Sequence, residues 1–484
     1  MSEIAFHPAT RLAAAIRDRK IGSRELLEHY LQRVERFNPK INAIVTLDAE
    51  RARQRADAAD AALARGEVWG PLHGVPITIK DSIETAGVRT TSGAEIYAEH
   101  VPAQDAPAVS RLRAAGVVIF GKTNLPTLAM DVQSYNPLFG TTNNPWDTTR
   151  APGGSSGGAA AALAAGLTGL ELGSDIGGSI RNPAHYCGVY GHKPTHGIVP
   201  LRGHIPGPPG TLSDTDVGVL GPLARSAEDL GLSLDVLAGP DTERAVAWRL
   251  QLPPPRRTSL REYRVAAWLD DPACRVDQTV HDRLAGAVAA LRTAGVTVDE
   301  AARPGFALAD VHRDFLRLLY PVTTAGLPDE QFEQLVALAN GLPDDDGPLA
   351  RLAHFSTLRH RHWLQANEAR ARYRAQWAEL FKRYDVLLCP ITPTAAIPHD
   401  QSADPGARVI EVNGQQRPYW NQIIWAGVVG MALLPATIAP VGRTPAGLPV
   451  GVQIVGPYLE DRTPIDFARR LAEVIGGFDQ PPGY

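Results

Sequence analysis

Three short stretches hold residues that could carry out nucleophilic chemistry together. Gly153-Gly154-Ser155-Ser156-Gly157-Gly158 sets two serines between glycines, and Gly177-Gly178-Ser179 sets a third after a glycine pair. One such cluster is what a surface turn looks like. Two of them, joined by a short alanine-rich run, point further. Glycine adopts positive φ and lets backbone approach closely, so a hydroxyl between glycines can be presented on a sharp turn. Successive N–H groups in such a turn can converge on an anion. A serine attacks a carbonyl only when a neighbour takes its proton. Lys80 closes the apolar run 75–79 and is one of six lysines, against 42 arginines among 48 basic residues. Lysine can lose its proton and arginine cannot, so a lysine at that place either snorkels to solvent or does chemistry. No serine stands three residues before any lysine, so the SxxK arrangement is absent and the base must arrive from a distant segment.

Other patterns imitate chemistry and fail on context. Gly153 to Gly157 fits GxSxG, but that elbow needs a strand just before it, and Asn143-Asn144-Pro145-Trp146-Asp147 is a turn-rich loop. Gly116 to Thr123 fits GxxxxGK[ST]. Its four middle residues, Val117, Val118, Ile119 and Phe120, read as a strand rather than a phosphate loop. His360 and His362 are spaced i,i+2 and do not share a helix face, which argues against a metal site. Cys187, Cys274 and Cys389 lack CxxC spacing, which fits neither a disulfide framework nor structural zinc, and suits a reducing, cytoplasmic setting.

The elements that must position these residues follow from periodicity. The chain has 484 residues, 44% hydrophobic and 21% charged, with a formal net charge of -4 that offers no basic face to nucleic acid. The N-terminus shows no signal peptide. Two amphipathic helices are predicted over 8–37, the second stopped by Asn38-Pro39, then an element beginning at 42–47 and a helix over 48–65. Strands are expected at 75–79 and 117–120 with a helix over 106–115 between them. A loop at 203–210, a helix over 223–237 and a connector over 239–262 follow. A strand–helix–strand unit is predicted over 263–298, a helical region over 308–382, and strands at 386–389 and 450–455. The uncharged stretch between Arg417 and Arg443 is long enough for a bilayer, but Pro435, Pro440, Gly427 and Gly430 interrupt it. It reads as a buried helix over 421–431 and a strand over 434–438. Alternating strands and helices give an α/β architecture.

At the two glycine-serine motifs the chain resembles the amidase signature family. Matching pieces are Gly153-Gly154-Ser155-Ser156-Gly157-Gly158, Gly173-Ser174-Asp175-Ile176-Gly177-Gly178-Ser179-Ile180-Arg181, Ile79-Lys80-Asp81 and Gly191-His192-Lys193-Pro194-Thr195. Similarity extends over nearly the whole chain, through Gly121-Lys122-Thr123-Asn124, Asn144-Pro145-Trp146-Asp147 and Gly447-Leu448-Pro449-Val450-Gly451-Val452-Gln453. The resemblance implies one α/β domain over 1–484, a mixed central sheet wrapped by helices, with a motif core at about 72–200 and a variable pocket region at about 201–425. It implies a Ser–Ser–Lys triad. Ser179 would attack, Ser155 after a cis peptide would relay the proton, and Lys80, neutral at rest, would accept it. The N–H groups of Ile176, Gly177, Gly178 and Ser179 would hold the oxyanion, while Asp175 and Arg181 brace the loop. Ile176 stands where many members have threonine, which removes a hydroxyl but keeps the backbone donor.

For the pocket the resemblance points to the 130–135 stretch with Met130, Asp131 and Tyr135, the 203–210 loop, Tyr320 and Trp425. Each of the aromatics can also be read as an ordinary core residue. If they face the pocket they favour an apolar or aryl amide, and an ester or carbamate would use the same route. The implied partner is a small-molecule amide, with no nucleic acid, membrane, metal or cofactor, and a homodimer is allowed. The family also contains the glutaminase subunit of a tRNA-dependent amidotransferase. There the stretch after the Lys-Pro-Thr turn usually reads Ser-Ser-Leu-Asp-Gln, whereas here Thr211-Leu212-Ser213-Asp214-Thr215-Asp216 stands in its place. That divergence favours a hydrolase working alone. A non-catalytic binding protein is disfavoured because all three triad positions are filled.

Overall fold

The structure, a computed structural model, describes residues 4–205, 207–343 and 347–484. The N-terminal half runs α1 (Ala9–Arg17), α2 (Ser23–Ile41), β1 (Ile44–Leu47), α3 (Ala49–Ala64), β2 (Pro76–Lys80), α4 (Pro107–Ala114) and β3 (Val118–Thr123). The short pair β4 (Tyr135–Asn136) and β5 (Gly140–Thr141) precedes α5 (Gly157–Ala164), β6 (Glu171–Asp175), α6 (Arg181–Cys187), β7 (Tyr190–Lys193), β8 (Val219–Ala224) and α7 (Ala227–Leu237). Then come β9 (Arg264–Ala267), α8 (Gln278–Thr293), β10 (Thr297–Asp299) and four helices, α9 (Leu308–Thr324), α10 (Asp329–Gly341), α11 (Pro348–Ser356) and α12 (His360–Arg383). The chain closes with β11 (Val386–Cys389), the hairpin β12 (Val409–Val412) and β13 (Gln415–Pro418), α13 (Ile424–Met431), β14 (Ala436–Arg443), β15 (Pro449–Val455) and α14 (Arg462–Ile475).

Eleven strands form one mixed sheet in the order β1-β3-β2-β6-β8-β7-β14-β15-β11-β9-β10. Strands β3, β2 and β6 run parallel, as do β11, β9 and β10, while the ladders between these two groups are antiparallel. This is the expected α/β fold, a large mixed sheet flanked by helices. Every residue of β2, β3, β6, β7 and β8 is buried, as helices covering both faces require. Helix α5 is buried on all sides, which its Gly-Gly-Ala-Ala-Ala-Ala-Leu-Ala composition permits.

Several boundaries differ from the sequence reading. Pro39 does not stop α2. It sits in the last turn, where one N–H is lost, and the helix ends at Asn42, whose left-handed φ of 53° turns its N–H onto the Asn38 carbonyl at 2.6 Å. Residues 219–224 are strand β8, and the helix begins only after Ser226, which caps it by accepting the Asp229 N–H. The 421–431 stretch divides into a 3-10 turn, Tyr419–Ile423, and α13. Among the described residues no helix is long and apolar enough to cross a membrane. Strands β6 and β7 were not legible in the sequence, because Glu-Leu-Gly-Ser-Asp and Tyr-Gly-His-Lys carry glycine and charge. Burial between neighbouring strands overrides that low propensity. Residues 117–123 are strand and turn into no helix, so Lys122 is a strand residue and no phosphate loop exists there.

Candidate active site

The sheet brings the motifs together. Strands β2 and β6 are parallel neighbours, with Thr78 opposite Glu171 and Ile79 opposite Leu172. Their C-terminal ends therefore leave the sheet on one side, the edge where ligands gather in α/β folds. Lys80 ends the first strand; Ser174 and Asp175 end the second. The 153–158 turn packs over this edge. Gly173 has no side chain because a Cβ there would stand 2.9 Å from Ser156 Oγ. The Ser156 N–H donates to the Ser179 carbonyl at 3.0 Å, which holds the two serine turns side by side. The Gly154–Ser155 peptide is cis.

Lys80 is fully buried beneath this turn. Its Nζ lies 2.6 Å from Ser155 Oγ, 2.9 Å from Ser174 Oγ and 3.0 Å from Ser156 Oγ. Burial disfavours the ammonium form and lowers its pKa to about 7, against opposing pulls from Asp175 and then Glu171. The hydrogen bonds narrow the place of the neutral amine's lone pair. Ser156 Oγ donates to the Ser174 carbonyl at 3.2 Å, so it accepts from Lys80. One amine proton therefore goes to Ser156, and the other proton and the lone pair face Ser155 and Ser174, of which Ser155 is the closer. Glu171 does not offer a full counter-charge: burial raises its carboxyl to about 8, and Thr78 and Thr123 donate to it.

Asp175 builds the loop that carries Ser179. Its oxygens accept from Gly178 N at 2.9 Å, Ile180 N at 3.1 Å, Arg181 N at 3.3 Å, Arg181 Nε at 2.9 Å and the Arg181 terminal nitrogen at 2.8 Å. Burial alone would raise this carboxyl; the Arg181 guanidinium wins and holds it at about 2. Arg181 also donates to the Ala426 carbonyl and to Gln453 Oε1, tying the loop to α13 and β15. The expected four oxyanion donors need one correction. The Gly178 N–H is turned inward onto Asp175, so Ile176, Gly177 and Ser179 keep the N–H groups that make no hydrogen bond among the described residues. Gly178 itself is needed for its φ of 111°. The Ser179 hydroxyl makes no hydrogen bond among the described residues and is the most exposed of the four clustered serines, at 8%.

The predicted pocket residues fare unevenly. The 131–133 backbone packs directly on Gly154, where a Cβ would lie 2.7 Å from the Asp131 carbonyl oxygen, so this stretch does adjoin the site. The Asp131 carboxylate is taken up by Arg408 at 2.7 Å and by the Tyr419 hydroxyl, and Tyr135 accepts from Arg408 at 2.7 Å. Met130 is 48% exposed. Tyr320 is half-buried against Phe355, ring centroids 6.3 Å apart. Trp425 is a core residue rather than a pocket wall. It is fully buried edge-on to Trp268 at 5.2 Å, and its indole N–H donates to the Cys274 carbonyl. Of the 203–210 loop, Pro206 lies outside the described residues. Sequence reasoning gave no role to Ser156, Ser174 or Arg408, and reached His204 only as part of the 203–210 loop. The first two carried a signal, since both lie inside the quoted motifs; Arg408, in a hairpin far along the chain, carried none. Ile423, Ala426 and Ile391, all buried, pack beside the two glycines of the Ser179 loop, with Asn182 also next to Gly178. Among the described residues no group of three or more His, Cys, Asp or Glu is placed to hold a metal ion.

Known proteins resemble this chain over nearly its whole length. A profile of the amidase family matches residues 25–464. A glutamyl-tRNA(Gln) amidotransferase subunit from Moorella thermoacetica is 32% identical over 95% of this chain and 94% of its own. A crystal structure of an amidase superposes with a TM-score of 0.79 and 29% identity, covering 97% of this chain and 100% of that one. The corresponding amidotransferase subunit from Thermotoga maritima superposes with a TM-score of 0.73 and 25% identity, over 95% and 94% of the two chains.

Proposed function

The chain belongs to the amidase signature family, and on that premise we propose that it cleaves carboxamides through an acyl-enzyme on Ser179, with Ser155 as proton relay and Lys80 as base. It is an amidohydrolase of C–N amide bonds. The observation that carries the residue roles is the 2.6 Å contact between Lys80 and Ser155 beneath the Ser179 loop, in a place where burial lowers the lysine pKa to about 7, so that the neutral amine is available near neutral pH. Ser179 Oγ attacks the carbonyl carbon as its proton passes to Ser155 and the Ser155 proton passes to Lys80. The oxyanion is met by the N–H groups of Ile176, Gly177 and Ser179. Collapse breaks the C–N bond, and the proton held by Lys80 returns through Ser155 to the leaving amine. Water then attacks the ester by the same relay and releases the acid. Peptide mass spectrometry after fluorophosphonate treatment tests the assignment: the adduct is expected on Ser179, and an adduct on Ser156 or Cys187 overturns it.

The nature of the amide has two readings. The apolar surroundings of Gly177 and Gly178, with Ile423, Ile391 and Ala426, support an apolar or aryl amide and a chain that works alone. The curated relatives favour the other reading, in which the chain is an amidotransferase subunit that takes ammonia from glutamine inside an assembly. Against that stands the divergent 211–216 stretch. On present weight the relatives, similar over nearly the full chain, count for more than six residues do. Assay of the purified chain on aryl amides, aliphatic amides, esters and glutamine separates them. Turnover of aryl or aliphatic amides by the chain alone supports the first. Glutamine hydrolysis that needs added subunits supports the second.

A further inference from the structure

We propose that His204 is a substrate-binding residue of this site, a neutral hydrogen-bonding handle for amides that carry a second uncharged polar group, such as a carboxamide. This rests on the Ser179 reading above. Residues 203–205 lie as an added strand along 82–84, immediately after Lys80: Glu84 N donates to the Gly203 carbonyl and Ile205 N to the Ser82 carbonyl, both at 2.8 Å, with His204 bridged to Ile83. The backbone therefore fixes the imidazole beside the catalytic edge. The ring is half-buried, yet its Nε2 is shut off from solvent and has no partner, and Ser82 Oγ, across the same added strand, is orphaned too. Leaving a buried polar atom unsatisfied costs about 1–3 kcal/mol, so an apolar residue would suit this position better if packing were its only purpose. Burial, and then repulsion from Lys80, push the imidazole down to about 3. It is a neutral ring throughout the working range and offers one donor or acceptor without charge. An apolar pocket with one such group orients a substrate rather than reacting with it.

The test uses two isosteric substrate pairs and the full-length protein. The 4-nitroanilides of glutaramic acid and of 5-methylhexanoic acid differ by a carboxamide or an isopropyl group at the acyl end. Hexanoyl-glycinamide and hexanoyl-isobutylamide make the same exchange on the amine. The parent is expected to favour the carboxamide member of one pair about tenfold in kcat/KM, the worth of one well-placed hydrogen bond. His204→Leu should erase that preference through KM and leave the melting temperature equal or higher. His204→Gln, which returns a polar atom near Nε2, should restore most of it. Fluorophosphonate labelling of Ser179 should proceed at the parent rate in both variants. A preference retained by His204→Leu, or absent from the parent in both pairs, overturns the assignment. So does a His204→Leu variant that labels slowly or melts early, since the ring would then be supporting the triad or the fold. Failure of labelling in the parent itself would instead strike the Ser179 reading.

Discussion

At the scale of single residues, the proposed chemistry turns on Lys80. A free lysine titrates near about 10.4 and at neutral pH could not accept a proton. Here burial brings it to about 7. Below that pH Lys80 carries its proton and its lone pair is gone; above it the amine is free. Ser179 acylation should therefore rise with pH through a single ionisation near 7 and then level off, which stopped-flow acylation measures directly. Lys80→Arg keeps the charge and loses the base, because guanidinium does not deprotonate. Its acylation rate should fall by about 100-fold or more at every pH, the usual worth of a positioned base. An arginine variant near parental activity would make Lys80 a structural cation. Asp175 belongs to the same scale. It accepts five hydrogen bonds and pairs with a fully buried guanidinium. Asp175→Asn leaves Arg181 uncompensated and should destabilise the fold by about 3–5 kcal/mol in urea unfolding.

At the scale of elements, the Ser179 loop works because it is fixed at both ends. Strand β6 delivers it beside Lys80, and α6 starts from Arg181 just after it. Between them Gly178 holds a φ of 111°, and a Cβ there would meet Ala426 Cβ at 3.0 Å. Gly178→Ala should therefore lose about 1–2 kcal/mol of stability from the left-handed backbone. It should also lose activity, because the oxyanion donors shift with it. Gly447 is the control. It has a φ of 82° with nothing within 4 Å of its Cβ position, and lies in the turn between β14 and β15. Gly447→Ala should show the strain in thermal melts and keep parental kcat. Equal kcat for both variants would mean that the loop tolerates displacement.

At the scale of the whole molecule, the site needs strands from widely separated parts of the chain, so activity and global folding should be lost together. Loss of Ser179 labelling should coincide with the loss of tertiary signal in a denaturant titration. Labelling that fails well before unfolding would show a site that opens locally. On the proposal that Lys80 is the base, prolonged dialysis against a chelator should leave the hydrolysis rate unchanged; a fall restored by a divalent cation would contradict the amine base. Size exclusion with and without candidate subunits, coupled to the glutamine assay, separates a chain acting alone from one acting in an assembly.

The sequence by itself determined which residues are the candidates for the proposed chemistry. Ser155, Ser179 and Lys80 were legible because glycine runs and a lone lysine closing an apolar strand are local signals, and local signals survive without a fold. It determined the α/β class too, through alternating periodicities. Only the tertiary structure decided what those groups can do. Parallel pairing of β2 with β6 sets Ser174 beside Lys80, while the 153–158 turn brings Ser155 to within 2.6 Å of the same amine. Asp175 draws the Gly178 N–H inward, which leaves three of the four proposed oxyanion donors facing away from it. Trp425, an apparent pocket aromatic, turned out to be core, Arg408 reached the site region from a segment with no pattern of its own, and the fold alone set His204 of the 203–210 loop against Ile83. The reason is physical. A proton's destination depends on burial and on which lone pairs neighbouring side chains already occupy, and these arise from contacts between residues that the linear order keeps apart.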